Sequence, residues 1–367
     1  MKSLKLATKV ALISLCLLAL APAASADSSG QTYVQGKIVS VPVDSQSAPS
    51  GAMTVLLTSG EHKGLVVAAS ATGLNSYSDI TLPQYHVGDS VIIALSQNAS
   101  GPPIYSVIDQ YRLPMAAVLL GVMVLLAILM AGWRGIGSVV GLIVSIAIIG
   151  GFIIPQILNG NNPYAITVVG SFMIATCTIF FAHGPNKRTL LALISTCITL
   201  IVATGLSTAA VSFTHLNGIA SEDISYLHQL QPALNIQGLL FGGIIIAVLG
   251  VLDDITVGQS AVVDELRKAN AKLQWKQLYV RSMSVGREHI ASLINTLVLA
   301  YLGTSMVFVF YIAAAQNLPL WLTLNSELVM EEIVRSLVGS IALILAVPIA
   351  TLIASIFLTS NRSHKPS

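Results

Sequence analysis

From Leu113 onward the chain alternates long apolar runs with short polar breaks, and the stretch before Leu113 has a different texture. The runs lie at about 113–132, 136–155, 164–182, 190–213, 236–256, 290–312 and 335–358. Each is near the roughly 20 residues an α-helix needs to cross a hydrocarbon core of about 30 Å. The pattern predicts a membrane α-helical bundle of about seven transmembrane helices over 113–358, with a short tail at 359–367. Between 27 and 112 the apolar residues come instead in short β-prone runs, at 32–43, 53–58, 65–69, 91–95 and 104–108. Turn formers separate them, as in Ser59-Gly60-Glu61, Gly88-Asp89 and Gly101-Pro102-Pro103. Several short strands at this spacing predict a small N-terminal β-barrel-like or sandwich domain. Ahead of it, Lys2, Lys5 and Lys9 precede an apolar stretch from Val10 to Ala21, and Ala24-Ser25-Ala26 precedes Asp27. That order predicts a cleavable export signal at 1–26, with an uncleaved anchor as the alternative.

Charge placement orients the runs. Only 9% of residues are charged and 54% are hydrophobic, whereas a soluble domain carries about a quarter charged residues. If residue 112 lies outside, Arg134, Lys187, Arg188, the segment from Arg267 to Arg287, Arg362 and Lys365 all fall on the cytoplasmic side. The opposite connections, at about 156–163, 214–235 and 313–334, hold no Lys or Arg; they hold Glu222, Asp223, Glu327, Glu331 and Glu332. Every connection obeys the positive-inside rule. The expected location is therefore the cytoplasmic membrane, multi-pass, with the β-rich domain extracytoplasmic and the C-terminus in the cytoplasm. A net charge of +2 gives no reason to expect nucleic acid. The bilayer is the expected partner. Cys16, Cys177 and Cys197 sit in apolar runs and read as small hydrophobes rather than as a disulfide or metal framework. No cofactor and no metal are expected.

The fifth run carries the chemistry. In Gly250-Val-Leu-Asp253-Asp254-Ile-Thr-Val-Gly258, two carboxylates come some seventeen residues after Ile236, near the inner end of the span. Ionisable groups inside a membrane helix are costly and face a bundle interior or water. At about 100° per residue, Gly243, Gly250, Asp254, Gly258, Ala261 and Glu265 share one face, and Asp253, Val257, Ser260 and Asp264 the next. Gly243, Gly250 and Gly258 predict a small-residue face for close helix packing. A carboxylate desolvated there would suit a site that binds and releases protons; the alternative is a solvated or paired carboxylate, with Lys268, Arg281 or Arg287 as partner. Which of Asp253 and Asp254 is buried stays open.

Elsewhere, Glu288, Ser292 and Asn295 recur on one face of the sixth run. Asn295 reads either as inter-helix glue or as a contact to Asp253 or Asp254, with Glu288 nearby. Glu331 stands four residues before Arg335, the favourable order for a helical ion pair, and Arg335 is expected to reach toward the outer surface. Pro348 falls mid-span and could kink its helix. His183-Gly184-Pro185 reads as a cytoplasmic turn, and Thr196, Thr199, Thr204, Ser207 and Ser212 as packing hydroxyls. There is no Walker loop, HExxH, GxSxG or CxxC pattern, so an enzyme is not indicated; intramembrane Asp chemistry is a third alternative.

Several of these stretches together resemble the YibE/F-like family of bacterial membrane proteins. They are Gly250-Val-Leu-Asp253-Asp254-Ile-Thr-Val, Gly286-Arg-Glu-His-Ile-Ala-Ser, Asn295-Thr-Leu-Val-Leu-Ala-Tyr301, Glu332-Ile-Val-Arg335 and Gly339-Ser-Ile. Thr58-Ser-Gly60-Glu61-His62-Lys63-Gly64 and Gly88-Asp89 fit as well. The resemblance implies architecture and no activity. Gly250, Asp253, Asp254, Ile255, Val257 and Asp264 are also similar to the fourth helix of resistance-nodulation-division transporters and SecDF. That partial resemblance implies one six-helix half of such a core, and hence a homodimer. The large outer domain and the membrane-embedded Lys of that superfamily are missing here.

Two expectations follow. One is a proton- or ion-coupled transporter or energy-transducing component, with Asp253 and Asp254 coupling and Asn295 and Glu288 nearby. The other is a non-transporting assembly protein whose outer domain, 27–112, binds an envelope partner.

Overall fold

The computed structural model describes residues 32–41, 52–71, 85–96, 103–220, 222–314 and 319–360. The expected export signal at 1–26 and most of the tail lie outside these. The chain forms two compact units, Met1–Met123 and Val124–Ser367.

The first unit holds a closed five-stranded barrel of β1 (Thr32–Ser40), β2 (Ala52–Leu57), β3 (Val66–Ala71), β4 (Ser90–Ser96) and β5 (Ile104–Gln110). Neighbours run in the order β1-β2-β3-β5-β4. All pairs are antiparallel except β3 with β5. Period-two alternation sends Val34, Ile38, Met53, Val55, Leu57, Val91, Ile93 and Val107 inward as one core. Each such burial is worth about 1.5–3 kcal/mol. Gly36 is required at the tightest point: a Cβ there would lie 2.5 Å from Ile93 Cδ1 and 2.6 Å from Val55 Cγ1. The β2–β3 turn closes through Leu57 N–H to Leu65 O at 2.9 Å and Gly64 N–H to Leu57 O at 2.9 Å, with Gly60 and Gly64 at positive φ. After β5, Arg112 Nη1 pairs with Asp109 Oδ2 at 2.7 Å. This pair holds the Asp109 carboxyl below its ordinary range.

The helices are α1 (Leu113–Ala131), α2 (Trp133–Leu158, with a π-helical turn at Ile149–Ile153), α3 (Pro163–His183), α4 (Lys187–Phe213) and α5 (Glu222–Leu230). They continue with α6 (Ile236–Ala269), α7 (Trp275–Thr304), α8 (Met306–Ala314), α9 (Leu320–Leu324) and α10 (Glu327–Ser360). Six of these, α1–α4, α6 and α10, are long and apolar enough to cross a membrane. The seventh expected span, 290–312, is divided. Helix α7 starts fifteen residues earlier, with Lys276, Arg281, Arg287 and Glu288 in its first half, and stops at Thr304; Ser305 breaks the helix before α8. The polar start and early stop leave α7 less apolar than its neighbours.

Pairwise contacts fix the helix directions in the second unit. Pro163 meets Gly238, Thr167 meets Gly242 and Thr178 meets Asp253, so α3 and α6 run parallel at a constant offset of 75 residues. Leu216 meets Gln237 and Thr196 meets Thr256, so α4 runs against α6. Arg335 lies beside Gly243, and Thr351 beside Gln259, so α10 is parallel to α6. Helix α7 returns between them: Gly286 packs on Val347, and Leu297 on Gly339. It thus runs in the opposite sense. The core of Leu200, Phe241, Ile244, Ile245, Val248, Leu252, Val338 and Ala346 sits among α4, α6 and α10.

Candidate functional site

Helix α6 is 34 residues long, about 51 Å at 1.5 Å per residue, and therefore overreaches the hydrocarbon core. Asn235 caps its start by accepting from Gly238 N–H at 2.8 Å. Sixteen of its residues are buried, with neighbours on several sides. Asp253 and Asp254 are consecutive and so point about 100° apart. The structure separates them. Asp254 is exposed, whereas Asp253 turns toward α3 and is partly buried.

Asp253 Oδ2 lies 2.6 Å from Thr178 Oγ1. Its Oδ1 is enclosed and has no hydrogen-bond partner. Thr178 Oγ1 is also 3.0 Å from Ile174 O and 3.2 Å from Ala175 O. A hydroxyl has one hydrogen to give. With Asp253 ionised, Thr178 donates to the carboxylate. With Asp253 protonated, the carboxyl donates to Thr178 Oγ1, and Thr178 donates to Ile174 O. The same heavy-atom positions serve both states, so a proton can come and go without moving the backbone. One turn on, Thr256 Oγ1 lies 3.3 Å from Asp253 O and 2.7 Å from Thr196 Oγ1 of α4. The hydroxyl neighbourhood thus spans α3, α6 and α4. Toward the end of α3, His183 feels the charges of Arg188, Arg134 and Asp254, and its Nδ1 is enclosed without a partner. His183 belongs to helix α3; the turn expected there begins only at Gly184.

The other candidates fall elsewhere. Lys268 pairs with Asp264 at 2.8 Å and Glu265 at 2.8 Å, while Arg281 and Arg287 are exposed. None of the three expected cations therefore pairs with Asp253 or Asp254. Asn295 and Glu288 lie exposed on the outward face of α7, and the structure does not bring them to the Asp pair. The residue of α6 that does bind α7 and α10 is Gln259, whose Nε2 donates to Ser282 O at 3.0 Å and Thr351 Oγ1 at 2.8 Å. Gln259 falls beyond the 236–256 run, between Gly258 and Ser260, and nothing in the sequence marked it as a junction. The glycine face also needs correcting. A Cβ at Gly250 or Gly258 would meet nothing within 4 Å, and at Gly243 only Arg335 Nη1 at 3.8 Å. Close approach is made instead by Gly238, Gly242 and Gly286. A helical wheel groups residues on a face and says nothing of what covers it.

Near the start of α10, Arg335 Nη2 pairs with Glu332 Oε1 at 3.6 Å, not with Glu331 as the spacing suggests. Glu331 is 6% exposed, and its Oε1 has no hydrogen-bond partner. Glu327 Oε1 accepts from Asn217 N–H at 2.6 Å and Gly218 N–H at 2.9 Å. Among the described residues no three His, Cys, Asp or Glu side chains converge as metal ligands.

Neither a curated protein nor a solved structure matches the chain. One family model, described as YibE/F-like protein, matches residues 119–360, a stretch that contains Asp253, Gln259 and Glu331. The chain is a multi-pass integral membrane protein and belongs to the YibE/F-like family.

Proposed function

We propose that the protein is a proton-coupled membrane transporter or energy-transducing component, and that Asp253 is its coupling carboxylate. One observation carries this reading: a carboxylate inside an apolar bundle, with one oxygen on Thr178 and the other enclosed without a partner. A buried polar group without a partner costs free energy, and a fold that only needed to pack would place an apolar side chain there. Intramembrane carboxylates mark ion pathways. Asp254, His183, Arg134 and Arg188 form the polar surroundings through which Asp253 exchanges protons with the cytoplasm. The proposed setting is a bacterial cytoplasmic membrane, with the barrel outside.

The experiment is chemical labelling in native membranes. A hydrophobic carbodiimide adds to protonated carboxyls, and mass spectrometry maps the adducts. The expected result is an adduct on Asp253, lost in Asp253→Asn, with Asp254 unmodified. Labelling of Asp254 alone, or of neither, removes Asp253 from the coupling role.

A second reading has its own observation. On the barrel, Leu65, Val66 and Val87 are 52%, 57% and 66% exposed. Apolar side chains held in water favour a protein partner, in keeping with an assembly role. On that reading, removing residues 27–112 abolishes function and Asp253→Asn leaves it intact.

A further inference from the structure

Three carboxylates gather at the start of α10, and only one lacks a donor. Glu327 accepts two backbone N–H groups, from Asn217 and Gly218. Glu332 has Arg335 at 3.6 Å. Glu331, the most enclosed of the three, has Oε1 buried with nothing to accept from, and Arg335 Nε is likewise buried without an acceptor. Arg335 lies one turn from both acids, at i+3 from Glu332 and i+4 from Glu331, so a rotamer change carries it from one to the other. Leaving a charged carboxylate enclosed beside a free guanidinium nitrogen is costly on both sides. The arrangement balances when Glu331 carries a proton.

Among the described residues, Arg335 is the one cation acting on Glu331. On α10 itself the charged groups acting on Glu331 are Glu327, Arg335 and Glu332. Of the elements packed against α10, α6 has no charged residue from Ile236 to Leu252 and α4 none from Thr189 to Phe213, while α9 has none at all. Helix α7 brings Tyr301, which feels Arg335 and Glu332.

Position along the bundle gives the site its meaning. Arg335 sits level with Gly243, ten residues before Asp253 on the parallel helix α6. Ten residues are about 15 Å, and Glu331 is one turn, about 6 Å, farther out. Leu200, Ile245, Val248, Leu252, Val338 and Ala342 pack in the interval, and the hydroxyls of Thr167, Ser171 and Ser207 are buried on the neighbouring helices.

We propose that Glu331 is a second proton site, open to the side opposite Asp253, and that Arg335 is its switch. Protonation of Glu331 releases the guanidinium to Glu332; loss of the proton draws it back to Glu331. The packing between them keeps the two sites from sharing protons until the helices move. The inference rests on the coupling role of Asp253, yet it fails separately from it.

The test uses the full chain in sealed vesicles of known orientation, briefly exposed to the hydrophobic carbodiimide while the pH of one side is changed. Acidifying only the extracytoplasmic buffer should raise Glu331 labelling several-fold and leave Asp253 unchanged. Acidifying only the cytoplasmic side should do the reverse. In Arg335→Gln the charged form of Glu331 loses its partner, so labelling should stay high and lose its dependence on external pH. Arg335→Lys should restore part of it. Absence of any Glu331 adduct while Asp253 is labelled overturns this proposal and spares the other. Glu331 labelling that follows the cytoplasmic pH overturns it too. Loss of the Asp253 adduct with Glu331 labelled as expected leaves the outer site standing and removes the inner one.

Discussion

Thr178 is the residue on which the inner site turns. Its hydroxyl is the only described donor to Asp253, and at 2.6 Å it is a short contact. Thr178→Val removes it with little change in volume and leaves both Asp253 oxygens unsatisfied. The expected loss of stability is about 1–2 kcal/mol, since hydrogen bonds within membranes are worth about 0.6 kcal/mol on average and those to charged groups more. Denaturant titration in detergent reads it, and Thr178→Ser should recover most of it. The decisive comparison is a double-mutant cycle with Asp253→Asn, in which the two losses should not add. Additive losses would mean that Thr178 and Asp253 do not act as a pair. Asp253 itself was legible in the sequence because a carboxylate inside an apolar run needs a reason. Thr178 was not. It reaches Asp253 only because α3 and α6 run parallel at an offset of 75 residues, and that is a property of tertiary packing.

At the scale of helices, the same distinction explains which glycines matter. Gly250 and Gly258 stand out on a helical wheel, but no atom lies within 4 Å of a Cβ built on either. Gly286 lies in a charged stretch of α7, where nothing in the sequence marks it as a packing position, yet its Cβ would come 2.6 Å from Val347 Cγ1 and 3.1 Å from Gln259 Nε2. Val347 is fully buried on α10 and has no room to withdraw. Gly286→Ala should therefore cost about 1–3 kcal/mol through overpacking. Gly250→Ala should be neutral, or stabilise by up to about 1 kcal/mol through helix propensity. Unfolding midpoints of the two variants under one set of conditions make the test. If Gly250→Ala proves as harmful as Gly286→Ala, something outside this chain covers the α6 face that bears Asp254. The run boundaries of α1 to α4 and the five strands were readable from period and turn residues. The division of the 290–312 run was not, because Gly303-Thr304-Ser305 is a weak break whose effect depends on how α8 and α9 pack.

Across the whole bundle, charge and direction point the same way. Helices α3, α6 and α10 run parallel, and α2, α4 and α7 run against them, as the contacts Gly141–Thr178, Thr196–Thr256 and Gly286–Val347 require. The connections at one end carry Arg134, Lys187, Arg188, Arg267, Lys268 and Lys272; the described residues of those at the other end carry no Lys or Arg. The positive-inside rule predicts that this end faces the cytoplasm. On that prediction Asp253 is expected toward the cytoplasm and Glu331 toward the outside. Single cysteines introduced at Asn161 and Lys272, with the native cysteines replaced by serine or alanine, report this directly. Asn161 is exposed on the α2–α3 connection and Lys272 on the α6–α7 connection. A membrane-impermeant thiol reagent applied to intact cells should modify the cysteine at 161 and spare the one at 272, and permeabilisation should open 272 to it. The reverse pattern would invert the bundle, and with it the assignment of inner and outer proton sites. Modification of both in intact cells would mean that α3 to α6 do not cross the membrane an even number of times with one more crossing besides, and the alternating path of the chain would have to be redrawn.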